Sequence, residues 1–359
     1  MKRHTACILT LTAVLFLSAC GEADAESGLF YEASGIRPDT VLLSVGGREV
    51  TARRYLYWLA CACDYIAGYY DSGDGIQWGD TVDGQTLEEY ARDQALESAA
   101  LYATVENWAE DYACTLTDED RTAMDREWAA RVAQYGGEEA YLDVLSRMGL
   151  DRTEAEAISG DYYLYRHLYE LYCTEGSQLA PAEHDLETFA QEQGYLTVDH
   201  IWISTADADP ADPEAAAACR ARAEEAFSKL NGSADPLNDF AVLAATYSDE
   251  TDRDQHPSGY TCKAGDGTLP AACEEAVLAL EEGQFSGVVE ADDGFYLLLR
   301  KPLDLDAVAP DYFDALLQAA ADSAEVSATR AYEDLNVQQF YDGLQQARAA
   351  QRGSGEGAS

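Results

Sequence analysis

Two β-type runs far apart in the sequence constrain this chain more than any other feature. Thr197-Val-Asp-His-Ile-Trp-Ile203 alternates around a histidine, and Gly294-Phe-Tyr-Leu-Leu-Leu-Arg-Lys301 is a second run of strand-forming residues. Between them the sequence predicts an amphipathic helix over 213–230, a shorter one ending in Phe240-Ala-Val-Leu-Ala-Ala-Thr-Tyr-Ser248, an irregular loop, and a third helix over 270–280. The predicted order is β-α-α-loop-α-β-β. Runs of this kind at both ends of one block predict first and last strands paired in a small sheet, with helices packed on it. The fold class is α+β.

His200-Ile201, Asp239-Phe-Ala-x-Leu-Ala-x-x-Tyr-Ser248, Leu269-Pro-x-x-Cys-Glu-x-Ala-Val-Leu-x-Leu-x-x-Gly283-Gln-x-Ser286 and the closing strand carry a further signal. On these residues the block 195–303 resembles a parvulin-type peptidyl-prolyl isomerase domain. The resemblance implies two histidines on adjacent central strands, a proline pocket of one Met and two Phe, and a Cys or Asp near the carbonyl. Here the first histidine is His200 and the second falls on Tyr296. The Met position is Leu269, the Phe positions are Cys273 and Leu278, and the Cys/Asp position falls near Tyr260. The implied catalytic set is His200, Tyr296 and Tyr260. The implied proline pocket is Leu269, Cys273 and Leu278, wider than one closed by phenylalanines. Tyr296 is expected to hydrogen-bond to His200 across the strands. No cofactor is implied.

The reaction breaks no covalent bond. Its barrier, ~18–20 kcal/mol for an amide, reflects C–N double-bond character. A catalyst holds the proline ring in an apolar pocket, removes water from the amide and favours its twisted state. With one identity among six positions, two outcomes stay open. Either the altered pocket still isomerises prolines, or the domain is vestigial in a non-catalytic holdase.

The net charge of −44 over 359 residues argues against a nucleic-acid partner and favours cationic, unfolded chains. The loop with Asp249, Glu250, Asp252 and Asp254 adds local charge of a kind that attracts basic residues beside a proline. At the N-terminus a short basic region precedes an apolar run, Ala6 to Leu17, too short to span a bilayer, and then Leu17-Ser-Ala-Cys20-Gly21. This resembles a bacterial lipobox. It implies a signal peptide over 1–19, a lipid on Cys20, and anchoring to the outer face of the cell membrane. Seven cysteines follow Cys20. An odd number cannot pair fully, and none has the spacing of a metal motif. No metal site is predicted, and pairing among them is left open.

The stretch 20–39 reads as a polar, lipidated tether. A helical domain is expected over 40–190, opening with a hairpin through Gly46-Gly47 and with helices started by Thr86-Leu-Glu-Glu89 and Thr117-Asp-Glu-Asp120. Gly136-Gly137 and Gly149 read as stops, and Tyr162 to Tyr172 as a tyrosine-rich helix face. This series resembles the N-terminal domain of PrsA-like and SurA-like foldases. In such proteins helices from the C-terminal end, here 310–350 after a linker over 302–311, return to pack on the N-terminal helices, and the isomerase domain is an insert. Residues 351–359 read as a disordered tail. The implied partners are unfolded or newly exported polypeptides containing Xaa-Pro, met by a monomer or homodimer. A ligand-binding or adhesive lipoprotein is the reading from another class, disfavoured by the continuous isomerase-like pattern.

Overall fold

The computed structural model of the protein describes residues 27–70, 73, 75–206 and 213–356. The leader and Cys20 lie outside them. The chain divides into two compact units, one built from Met1–Tyr165 and Ala320–Ser359, the other from Arg166–Ala319. The helical stretch expected over 40–190 is therefore cut at 165.

The first unit begins with α1 (Leu29–Ser34), whose Leu29 and Phe30 are buried. The expected tether is corrected here: part of it is a packed helix, because these two apolar side chains find a core. The Phe30 ring lies against Gly149, where a Cβ would collide with it. Strands β1 (Val41–Val45) and β2 (Arg48–Thr51) pair antiparallel. Gly46 and Gly47 join them with φ of 56° and 87°, the left-handed pair that a tight hairpin turn requires. In α2 (Ala52–Tyr70) the buried Tyr55, Leu56, Leu59, Cys63 and Ile66 recur at helical spacing. Strands β3 (Thr81–Val82) and β4 (Gln85–Thr86) form a small hairpin before the next helix. Both predicted capping boxes form, Thr86 with Glu89 at α3 (Leu87–Asp111) and Thr117 with Asp120 at α4 (Asp118–Tyr135). Each cap stabilises its helix by about 1 kcal/mol. Then come α5 (Glu138–Arg147) and α6 (Arg152–Tyr172), which runs on into the second unit.

The second unit continues with α7 (Glu183–Glu192), β5 (Tyr195–Ser204), α8 (Pro213–Asn231), α9 (Pro236–Tyr247), β6 (Tyr260–Lys263), α10 (Ala271–Leu278), β7 (Val289–Ala291) and β8 (Gly294–Lys301). The sheet order is β6-β5-β8-β7, all antiparallel. First and last strands pair in register from Thr197↔Lys301 to Ser204↔Gly294, as the sequence predicts. Side chains alternate between two faces. Ile201, Leu297 and Leu299 meet Ala226, Leu230, Phe240 and Ala244 of α8 and α9 on one face. Leu196, Val198, Tyr296 and Leu298 meet Cys273 and Val277 of α10 on the other. Helix α11 (Leu305–Ser323) starts inside the expected linker and contains Pro310. Its Phe313 packs on Tyr169 and Tyr172 at ring distances of 5.4 and 5.1 Å, so part of the tyrosine-rich face is core.

The C-terminal residues complete the first unit. Strand β9 (Val326–Ala328) pairs with β1, and Thr329 N–H donates to Leu42 O at 2.9 Å. After α12 (Arg330–Glu333), α13 (Val337–Glu356) buries Phe340, Tyr341 and Leu344 in the same core as Leu42 and Tyr55. Gly343 lets α13 approach the α1 backbone at Ala33, where a side chain would not fit. The expected disordered tail is corrected: the helix continues through Glu356.

Candidate active site

Period-2 alternation places His200 and Trp202 of β5 on the sheet face that carries α10. Tyr296 and Leu298 stand directly opposite them on β8. Tyr260, opposite Val198 on β6, completes the row. The His200 ring is buried, stacked on Tyr260 at 4.7 Å and tilted against Tyr296 at 5.8 Å. Trp202 stacks on Tyr296 at 6.3 Å. Leu269 and Cys273 are buried in the same cluster. The structure thus brings together five of the six predicted residues: His200, Tyr296, Tyr260, Leu269 and Cys273.

Leu278 is the exception. It is 54% exposed, whereas Val277 is fully buried. Helix phase explains the difference. Cys273 and Val277 are four residues apart on the inward face of α10, and the next residue turns away by about 100°. Val277 is the third apolar group behind the pocket.

The polar connections also differ from expectation. The Tyr296 hydroxyl donates to Asp293 Oδ2 at 2.8 Å, not to His200. His200 Nε2 instead faces Glu250 Oε2 at 3.1 Å. An ionised carboxylate accepts only, so Nε2 carries the proton in that contact. Tyr260 donates to Asp252 Oδ1 at 2.7 Å, and His256 covers the outer side of its ring at 4.3 Å. The carboxylate beside His200 is therefore that of Glu250, a loop residue, while Tyr260 contributes its ring. Asp249 is already committed to Arg222 at 2.8 Å and to the Ser204 N–H at 3.0 Å. His200 Nδ1 and Trp202 Nε1 are buried polar atoms that lack a hydrogen-bond partner among the described residues.

None of the hydroxyl or thiol groups here is tuned to give up a proton near neutral pH. Burial, reinforced by the bond to Asp293, pushes the Tyr296 hydroxyl far above its ordinary range. Burial and the bond to Asp252 do the same for Tyr260. Burial, with the charge of Asp293 adding to it, pushes the Cys273 thiol up to about 12. The Asp252 carboxyl is held below its usual range, chiefly by the Tyr260 hydroxyl. What remains is a packed apolar cluster of Leu269, Cys273, Val277 and Leu298 under the aromatic row of Tyr260, His200, Tyr296 and Trp202, with Glu250, Asp252 and Asp293 bonded to its polar groups. Apolar and aromatic side chains of this kind offer packing and exclusion of water rather than proton or group transfer.

Residues 200–301 match the rotamase family, as a PPIC-type PPIase domain. The match begins on His200 and ends with β8. No curated protein matches the chain. Among solved structures, the foldase protein PrsA from Streptococcus pneumoniae is similar at 19% identity over 75% of this chain and 92% of that one, with a TM-score of 0.25. PrsA from Bacillus subtilis is similar at 14% identity over 76% and 91%, with a TM-score of 0.25. One of two SurA-like chaperones of Campylobacter jejuni is similar at 12% identity over 79% and 92%, with a TM-score of 0.23. Superpositions this poor say nothing about how the units of this chain are arranged. Within the PPIase domain, the resemblance points to the strand residues His200 and Tyr296, and the strand register sets them on one face. Glu250, Asp252 and Asp293 lie in loops, where side-chain direction follows from no sequence period. Trp202 was within reach of the same alternation, two residues after His200.

Proposed function

We propose that this protein is an extracytoplasmic foldase, held at the cell membrane by lipid on Cys20, that isomerises Xaa-Pro bonds in exported polypeptides. The observation that supports it best is the His200 face itself: buried apolar residues packed under a row of aromatic rings, inside a stretch that matches the PPIC-type PPIase domain. The proline ring is seated against Leu269 and Tyr296, with the fully buried Cys273 and Val277 behind them. His200, oriented by Glu250, and Tyr296, oriented by Asp293, frame the amide and exclude water from it. Loss of amide hydration favours the twisted state, in which charge separation across C–N is smaller.

Leu269→Ala removes apolar surface from the pocket wall without touching the polar frame. Burying one such side chain is worth about 2 kcal/mol, so kcat/KM for an Xaa-Pro peptide is expected to fall at least tenfold. Near-ultraviolet circular dichroism checks that the fold persists. An unchanged rate in a folded variant removes the pocket from the account.

A second reading has its own observation. Tyr135, Leu142, Met148 and Tyr162, on or just after α4, α5 and α6, are exposed large apolar side chains. The same three helices form a cleft of about 410 Å³ lined in part by Met124, Trp128 and Tyr141. Exposed apolar surface of this kind suits a holdase that binds unfolded segments. Under that reading the chain suppresses aggregation of an unfolded client even when its PPIase domain is inactive.

A further inference from the structure

The carboxylates around the His200 face are placed unevenly with respect to cations. Asp293 sits in the turn before β8, and its side chain is exposed at the rim. One of its oxygens, Oδ2, accepts from the Tyr296 hydroxyl at 2.8 Å. Tyr296 packs in the same cluster as Leu269 and Cys273, so the carboxylate lies one hydrogen bond away from that cluster. On the opposite side Glu250 meets His200, and Asp252 meets Tyr260. Nearby basic side chains are turned to other acids. Arg222 pairs with Asp249 at 2.8 Å, Arg253 with Asp199 at 2.9 Å and Lys263 with Asp311 at 2.9 Å. No ion pair between Asp293 and a Lys or Arg is found among the described residues. A substrate proline seated against Tyr296 therefore has a carboxylate at its edge that is fixed in place through Oδ2 and has Oδ1 to spare.

We propose that Asp293 is a specificity-determining residue that makes this pocket select prolines flanked by lysine or arginine. The proposal rests on the isomerase reading and adds the substrate class to it. The same carboxylate orients a pocket wall, through Tyr296, and supplies charge at the rim. A lysine next to the proline gains an ion pair with Oδ1, and a glutamate there meets repulsion from Asp293, with Glu250 and Asp252 adding to it. One exposed pair changes affinity only severalfold, and attraction in one substrate with repulsion in the other multiplies the contrast. A preference of about tenfold in kcat/KM for Lys-Pro over Glu-Pro is expected at low salt. It shrinks as salt screens the charges.

The test compares Ala-Lys-Pro-Phe and Ala-Glu-Pro-Phe peptides on the full chain, in the wild type and in Asp293→Asn and Asp293→Glu. Asn keeps an acceptor for the Tyr296 hydroxyl and removes only the charge, so the Lys-to-Glu ratio is expected to fall toward one. Glu restores the charge and with it most of the ratio. Equal treatment of both peptides by the wild type overturns the proposal, as does a ratio that survives in Asp293→Asn. If the wild type accelerates neither peptide, the isomerase reading fails separately. Peptide-induced NMR shifts of Tyr296 then decide selectivity by affinity, with tighter Lys-Pro binding supporting the role of Asp293 and equal binding ending it.

Discussion

Replacing Phe240 by alanine is expected to destabilise the second unit by about 3–5 kcal/mol and to abolish the proposed isomerase activity at physiological temperature. Phe240 is fully buried in α9. It fills the space between that helix and the sheet residues Ile201, Leu297 and Leu299, with Ala226, Leu230 and Tyr247 around it. The three sheet residues are held by backbone pairing in β5 and β8 and cannot collapse into the gap, so the cavity term adds to the lost transfer energy. The same strands carry His200 and Tyr296 on their opposite face, so loosening one face loosens the other. The measurement is urea unfolding followed by circular dichroism, with peptide isomerisation assayed in parallel. A midpoint within error of wild type refutes the packing account.

A comparable loss, also about 3–5 kcal/mol, is expected from Arg54→Met in the first unit. Asp161 is buried, and Arg54 NH1 donates to its Oδ2 at 2.7 Å. Burial pushes the Asp161 carboxyl above its ordinary range. The bond and charge of Arg54 oppose that shift, and the neighbouring Glu106 adds to it. Removing the guanidinium leaves a buried carboxylate without a cation, and its acidity falls further. The sign of the pH dependence follows. A carboxyl whose folded value is raised binds its proton more tightly in the folded state. Stability is then greatest below the unfolded value and declines as pH rises through the window up to the folded one. In Arg54→Met that window widens upward, so much of the loss seen near pH 7.5 is expected to return near pH 5. Urea midpoints at the two pH values check it. An equal deficit at both shows that the lost contact is packing rather than charge.

Much of this architecture is legible in the sequence, and the limits of that legibility are physical. Local signals do well. Thr86 with Glu89 and Thr117 with Asp120 place two helix starts, because a cap is an interaction within four residues. Gly46-Gly47 marks a hairpin because few residues other than glycine adopt two successive positive φ values. Alternation in β5 and β8 puts His200, Trp202 and Tyr296 on one face once the strands are paired. Signals fail where the determinant is distant. Strand β9 has three exposed residues and no pattern of its own, and exists because the edge of β1 is there to pair with. Leu278 was assigned by motif position, whereas α10 buries residues according to helix phase. The tether reading does not find α1, a short segment whose Leu29 and Phe30 pack in the same core as Phe340 of α13, about three hundred residues away. The partner of His200 is a loop glutamate fifty residues away.

The account stands or falls on catalysis at the His200 face. The most direct measurement is two-dimensional exchange NMR on an Ala-Lys-Pro-Phe peptide with a small amount of the full chain added. Uncatalysed exchange takes tens to hundreds of seconds at 25 °C, so cross-peaks between cis and trans signals are absent without a catalyst. The account predicts exchange cross-peaks that grow with protein concentration and weaken in Leu269→Ala. A correctly folded chain that produces no exchange in Lys-Pro, Ala-Pro or Glu-Pro peptides contradicts it, and leaves the exposed apolar surface of the helical unit as the working part.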